Sequence, residues 1–360
     1  MGSLKILKVE ILKVFLSAVY WICSLFLPYQ KNAVLLLSSR SDRMSVGMNM
    51  LHEELVKDEN IQLTSFFYGR NLSQLALLKH SVKAVSLIAR NRVIVVDDHC
   101  VPLNALYGKR KRNVAIQIWH AAGTFKKFGN LKETKTRIPH KNYDIVCVNS
   151  NEEIGPFSEA FGVQLDQIKV TGALQLQYVL DYFSHEKVQP KKNKIFYAPT
   201  YRGGGKKDYS ILLSKKMIEL HEKEFSDYSL KISLHPYVYC DDNISKYVVS
   251  KNELYQELLS SEIFVTDYSS LFIDYSVTER KIIFFVPDYE NYVVEPGFIS
   301  NYISSAKLKT KDWASLFDLV MTADDKSIWT KKRKKSFYQN VNKSLSSIIN
   351  VIHTSLNKEI

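Results

Sequence analysis

Short apolar runs recur along most of the chain, separated by polar stretches of a length that suits helices. Ala33–Ser38, Ile61–Phe67, Val93–Asp97, Val114–Trp119 and Asp144–Asn149 are rich in β-branched and aliphatic residues and read as strands. The segments between them suit right-handed crossovers, which predicts one α/β layer set. A polar break from Ser184 to Asn193, with Pro190 and three lysines, interrupts the rhythm. It resumes with Ile195–Ala198, Lys231–Leu234, Ile263–Thr266 and Lys281–Val286, which read as buried parallel strands of a second doubly wound sheet. The expected fold class is therefore α/β, with two doubly wound Rossmann-type domains facing a cleft, over residues 31–183 and 184–360.

Residues 1–30 follow a different pattern. From Val14 to Gln30 there are 17 residues without a charge, preceded by Lys5, Lys8 and Lys13 and closed by Pro28 and Lys31. A spanning helix wants about 20 apolar residues, so this run falls short. No A-x-A-like small-residue site follows it, which speaks against a cleaved signal peptide. Farther back, Ile6, Leu7, Val9, Ile11, Leu12, Val14 and Phe15 are interleaved with lysines and Glu10. That gives an amphipathic helix expected to lie in a bilayer surface, with its lysines toward lipid phosphates.

Composition narrows the class. With 360 residues, 46% of them hydrophobic, and only 13 Gly and 9 Pro, the chain is neither collagen-like nor disordered. A formal charge of +12 asks for a polyanionic partner. The dense runs Lys109–Arg112 and Lys331–Lys335 lack the interleaved aromatics that stack on bases, so an anionic membrane surface is expected as partner and nucleic acid is not. Four scattered cysteines with no C-x-x-C pair fit a reducing compartment.

In open α/β sheets ligands bind beyond the carboxyl ends of the strands, and those positions hold the candidate chemistry. His120 follows one apolar strand and precedes a small-residue turn, Ala121-Ala122-Gly123. Pro199 ends another, with Thr200, then Arg202 as a bidentate phosphate partner, then Gly203, Gly204 and Gly205. His235 is fixed by Pro236. After Val265, the spacing of Tyr268, Leu271, Phe272 and Tyr275 predicts a helix starting directly at the strand end. Thr266, Asp267, Ser269 and Ser270 at its start would form a phosphate cradle. Spacing alone also admits a core histidine, a plain surface loop and an unoccupied helix cap at these places. Asp97-Asp98-His99 lacks D-x-D spacing and reads as a strand end, with no metal site.

Taken together, these residues resemble the CDP-glycerol glycerophosphotransferase family of teichoic acid synthesis, over roughly Val93 to Tyr302. The matching stretches are Trp119-His120-Ala121-Ala122-Gly123 with Lys126-Lys127-Phe128-Gly129, Ala198-Pro199-Thr200-Tyr201-Arg202, His235-Pro236, Thr266-Asp267-Tyr268-Ser269-Ser270 with Asp274, and Pro287-Asp288-Tyr289-Glu290-Asn291-Tyr292. The resemblance implies a GT-B-like fold and transfer of a polyol phosphate from a CDP-polyol to a lipid-linked acceptor, with release of CMP. It implies catalytic roles for His120, as general base, and for His235. It implies substrate contacts for Gly123, Thr200, Arg202, Thr266, Asp267, Ser269, Ser270, Asp274 and Asp288. Neither metal nor cofactor is expected beyond the donor CDP-glycerol.

Long family members carry an extra N-terminal domain and polymerise; this chain has none and looks like the short primases. Those add the first glycerol phosphate to an undecaprenyl-diphosphate-linked disaccharide. The expected location is peripheral, at the cytoplasmic face of the cell membrane. A glycerol- or ribitol-phosphate polymerase of teichoic acid or capsule, and a nucleotide-sugar GT-B glycosyltransferase, are the alternatives. Asp288 and Glu290 could serve the latter as ribose-binding acids.

Overall fold

The computed structural model describes residues 2–69, 72–131, 138–186, 188–203, 207–235, 238, 241–300, 302–322 and 328–358. Among them eleven strands form two sheets in which every pairing is parallel. The chain divides into two compact units, Met1–Tyr178 with Asn340–Ile360, and Val179–Gln339.

The first unit carries β1 (Gln30–Ser38), β2 (Gln62–Phe67), β3 (Asn91–Val96), β4 (Val114–Gln117), β5 (Ile145–Val148) and β6 (Ile168–Val170), in the order β2-β1-β3-β4-β5-β6. Its central strands are covered on both faces, which is why they read as unbroken apolar runs. Alternation sorts their side chains. Leu35, Leu37, Ile94 and Val96 face a core built with helices α1 (Gly2–Phe26) and α3 (Gln74–Arg90). Val34, Leu36, Val93 and Val95 face helix α2 (Val46–Leu55) and the C-terminal helix Ser344–Asn357, through Ile348 and Ile352. Ser45 and Ser73 cap α2 and α3 by accepting the N–H groups of Met48 and Ala76.

The second unit holds β7 (Lys194–Ala198), β8 (Ser229–Ile232), β9 (Ile263–Thr266), β10 (Lys281–Phe285) and β11 (Lys309–Thr310), ordered β11-β10-β9-β7-β8. In each sheet the first strand is interior and the chain builds outward from it in both directions. The points where the direction changes lie between β1 and β3 and between β7 and β9, and ligands bind at such switch points in doubly wound sheets.

Three features differ from the sequence expectation. Residues 184–360 do not form one domain, because Asn340–Ile360 returns to the first unit. There Arg92 donates to the carbonyls of Ser355 (3.0 Å) and Lys358 (2.6 Å), so the last helix is tied to β3. Second, the amphipathic start and the apolar run form a single helix, α1. Its stretch Leu4–Phe26 is long and apolar enough to cross a membrane by length and composition. Yet Leu16 and Tyr20 are fully buried, and the Tyr20 hydroxyl donates to Asn113 Oδ1 at 2.6 Å. Those contacts lay one side of α1 along the first unit and leave Leu4, Leu7, Ile11, Val14, Leu25 and Phe26 exposed on the other. Third, β6 and β11 extend the sheets beyond the expected strands; at three and two residues they are too short to show as apolar runs.

Candidate functional site

In the first unit the chemistry collects at the C-terminal ends of β1, β3, β4 and β5. After β4 the backbone turns at Trp119 with φ of 47°, a left-handed conformation costly for a bulky residue. It is held there by a hydrogen bond from the Trp119 N–H to Gln117 Oε1 (2.9 Å) and by packing of the indole on Phe128 and Phe161. This turn sets the direction of His120.

The His120 Nδ1 lies 3.0 Å from the carbonyl oxygen of Asp97. A carbonyl only accepts, so Nδ1 carries the proton and Nε2 presents its lone pair. Burial pushes the imidazole pKa down; Arg40 pushes the same way, and Asp98 opposes them. The ring is thus neutral at physiological pH, the state a proton acceptor needs. Asp98 Oδ2 lies 3.9 Å from Nδ1 and 3.3 Å from Arg40 Nε.

The turn closes at Gly123, whose φ of 86° suits glycine. Its N–H donates to Glu153 Oε1 (2.8 Å), while Glu153 Oε2 accepts the N–H of Asn149 at the end of β5 (2.8 Å). One buried carboxylate therefore clamps two strand ends, and burial pushes its pKa up to about 7. Gly123 serves this clamp through its backbone. Cys100 and Cys147, both buried, have thiols pushed up to about 12, which makes them inert packing groups.

In the second unit the ends of β7, β8, β9 and β10 carry Thr200 and Arg202, His235, Asp267, and Asp288. Asp267 is almost fully buried and accepts hydrogen bonds from the Thr200 N–H (2.9 Å) and hydroxyl (2.6 Å). Arg202 pairs with Asp267 through Nη1 and with Asp288 through Nε (3.2 Å) and Nη2 (3.1 Å). Burial alone would lower its pKa, but the two aspartates more than reverse this. Tyr268 donates to Asp288 (3.0 Å) and stacks on Tyr292 with ring centroids 3.5 Å apart. His235 stacks on Tyr201 at 4.9 Å.

Several expected site residues take different positions. Arg202 is not an open phosphate hand; its fork is closed on two carboxylates. Thr266 is fully buried and its hydroxyl donates to the Ala198 carbonyl (2.7 Å), which turns it into the sheet. Asp274 is buried beside the Tyr255 hydroxyl (3.3 Å), with its pKa pushed up to about 7 by burial, and meets none of the other candidates. The expected helix begins at Leu271 and runs only to Tyr275, so its dipole is small. Ser269 and Ser270 remain partly exposed just before it, with Ser269 Oγ accepting the Leu271 N–H (3.3 Å). Gly204, Gly205 and Pro236 lie outside the described residues. Among the described residues no cluster of three potential metal ligands occurs.

Sequence reasoning missed Arg40 and Glu153 and read Asp98 only as a strand terminus. A signal existed for the first: Ser39-Arg40-Ser41-Asp42-Arg43 follows β1 directly, where the strand-end rule already pointed.

Comparison with known proteins bears on the family and the fold. Residues 19–346 match the CDP-Glycerol:Poly(glycerophosphate) glycerophosphotransferase family. The chain is similar to a teichoic acid ribitol-phosphate primase of Bacillus spizizenii, 31% identical over 318 residues, covering 80% of this chain and 82% of that protein. It is also similar to a teichoic acid glycerol-phosphate primase of Bacillus subtilis, 30% identical over 62% of this chain and 63% of that one. A teichoic acid poly(ribitol-phosphate) polymerase of Bacillus spizizenii is 26% identical, with half of its length covered. Among solved structures, the wall teichoic acid polymerase TagF superposes with a TM-score of 0.67 at 17% identity, over 99% of this chain and 97% of that one. A UDP-GlcNAc 2-epimerase from Neisseria meningitidis gives 0.54 at 11% identity, over 91% of this chain and all of the other. These likenesses show a GT-B-like fold.

Proposed function

The chain belongs to the CDP-glycerol:poly(glycerophosphate) glycerophosphotransferase family and is a phosphotransferase of teichoic acid biosynthesis; from that premise we propose that it acts as a primase. In this reading it transfers glycerol phosphate from CDP-glycerol to a hydroxyl of a membrane-anchored, undecaprenyl-diphosphate-linked disaccharide. The acceptor oxygen bonds to the phosphorus that carries glycerol as the bond to CMP breaks. The bonding pair leaves with CMP, and the hydroxyl proton passes to Nε2 of His120. The observation that carries the base role is the Nδ1 contact to the Asp97 carbonyl, which leaves a neutral imidazole with its Nε2 lone pair available.

His235 and the hydroxyls of Ser269 and Ser270 would meet the donor pyrophosphate, while Thr200, whose hydroxyl donates to Asp267, would hold the strand end beside them. Arg202, Asp267 and Asp288 would brace the strand ends that present them, since removing one partner of such a buried ion network leaves an uncompensated charge. Docking of α1 on an anionic bilayer at the cytoplasmic face belongs to the same proposal. Its support is the exposed apolar side of the helix, flanked by Lys5 and Lys8.

A second reading replaces glycerol with ribitol, on the strength of the 31% identity to a ribitol-phosphate primase. Mass spectrometry of products from a synthetic lipid-linked disaccharide, incubated with CDP-glycerol or CDP-ribitol, separates the readings. One added glycerol phosphate supports the first and one added ribitol phosphate the second. A ladder of additions makes the chain a polymerase, and no addition with either donor overturns the assignment.

A further inference from the structure

The two sheets share a motif that the proposed chemistry has used only once. At the switch point of the second sheet, Arg202 from the end of β7 pairs with Asp267 from the end of β9. At the switch point of the first, Arg40 from the end of β1 pairs with Asp98 from the end of β3. The two arginines are differently committed. Arg202 is 14% exposed and bonded through Nε and both terminal nitrogens, whereas Arg40 is 42% exposed and meets Asp98 at Nε (3.3 Å). Among the described residues the Nη1 and Nη2 groups of Arg40 make no hydrogen bond. Their four N–H donors form a fork suited to phosphate oxygens.

The surroundings favour an anion there. Arg40 sits in the run Ser38-Ser39-Arg40-Ser41-Asp42-Arg43, and Ser39 Oγ donates to the His99 carbonyl (3.1 Å), which fastens the β1 end to the β3 end. Asp98 is held in turn by the His99 N–H on Oδ1 (2.6 Å), so its Oδ2 stays between Arg40 and the His120 ring. Among the described residues, the charged groups that act on that ring are Asp97 and Asp98 from the β3 end and Arg40 from the β1 end.

We propose that Arg40 binds a phosphate or diphosphate group of the acceptor, and that Asp98, shared between Arg40 and His120, positions the base and ties its proton affinity to acceptor occupancy. When an acceptor anion takes up the guanidinium, the pull of Arg40 on Asp98 weakens and Asp98 acts more strongly on His120, supporting the imidazolium that forms as the hydroxyl proton arrives. The inference rests on the phosphotransferase reading for the identity of the anion, and on the geometry of this unit for its place.

The test uses the full-length chain. Arg40→Gln is expected to raise the acceptor KM about 10- to 100-fold while leaving the KM for the CDP-polyol within about twofold, the loss of a charge-assisted fork. Arg40→Lys should recover part of that loss. In pH profiles of kcat/KM the acid limb should move in opposite directions: down in Asp98→Asn, which removes the anion facing His120, and up in Arg40→Gln, which removes the cation. General structural damage would not split the two variants in this way.

A binding arm separates this inference from the functional reading. With the nucleotide site saturated by CMP, calorimetric titration of inorganic pyrophosphate should show a site in the parent chain that Arg40→Gln loses. Pyrophosphate binding through Arg40 in a chain that transfers no polyol phosphate would keep the anion site and overturn the function. Normal transfer with an unchanged acceptor KM in Arg40→Gln, or acid limbs that move together, would overturn the site.

Discussion

The Glu153 clamp gives a stability signature that can be worked from the structure. Glu153 is 4% exposed and its carboxyl is pushed up to about 7 from an ordinary 4.5. Burial is the leading cause, opposed by the N–H groups of Asn149 and Gly123. Between those two values the folded chain keeps a proton that the unfolded chain has released, so stability falls as pH rises. The contribution is complete below pH 4.5 and gone above pH 7. At 1.36 kcal/mol per pH unit the full difference is about 3 kcal/mol, of which about 2.5 kcal/mol falls between pH 5 and pH 8.

Glu153→Gln cannot titrate, and its amide oxygen can accept only one of the two N–H groups that Oε1 and Oε2 receive from Gly123 and Asn149, leaving the other against an NH2 donor. It should therefore lie below the parent at pH 5 by about 1–3 kcal/mol, the cost of an unsatisfied buried donor, and regain about 2.5 kcal/mol relative to the parent by pH 8. Asp274, also raised by burial, titrates in both chains and cancels. Urea denaturation of parent and variant at half-unit pH steps measures the difference. A gap between the two chains that stays constant within about 0.5 kcal/mol from pH 5 to pH 8 would falsify the assignment of a buried, weakly acidic Glu153.

Three further outcomes are expected. His120→Ala should lower transfer about 10²- to 10⁴-fold, the range of a general base, while calorimetry shows nearly unchanged CDP-glycerol affinity; near-parent turnover would remove His120 from the chemistry. Ser269→Ala combined with Ser270→Ala should weaken CMP binding with the acceptor KM unaffected, whereas Arg202→Ala should weaken it and also destabilise the second unit by about 3–5 kcal/mol by leaving Asp267 and Asp288 without their cation. Equal CMP affinity in all three chains would refute the donor assignment. Replacing Leu4, Leu7 and Ile11 with Ser should reduce co-sedimentation with anionic liposomes at every salt concentration, while neutralising Lys331, Lys332, Arg333, Lys334 and Lys335 should reduce it only at low salt. The second effect should be modest, because Lys334 already pairs with Glu279 (2.8 Å) and Arg333 donates to Ser305 (3.2 Å). Unchanged binding in both would mean that neither surface meets lipid.

The sequence by itself determined the strands that a parallel sheet buries on both faces, since burial on two sides demands unbroken apolar runs such as Val34–Leu37 and Val93–Val96. It also placed His120, Arg202, His235 and Asp267 just past strand ends, since each lies beside a readable apolar run, and Asp288 through the family resemblance. It did not show which side of a strand end such a residue takes. Thr266 and Asp267 are adjacent, yet one hydroxyl is sealed against Ala198 while its neighbour's carboxylate holds Thr200 and Arg202.

Nor could it assign Asn340–Ile360 to the first unit, a matter of long-range packing between Ile348, Ile352 and β3. The groups around His120 were hidden for the same reason. Arg40 and Asp98, which meet beside His120, and Glu153, which holds the turn after it through Gly123, stand far apart along the chain, and no spacing rule joins them. Parallel pairing of β1 with β3, β3 with β4 and β4 with β5 places their ends side by side, and only that register brings Arg40 to Asp98 and Glu153 to Gly123.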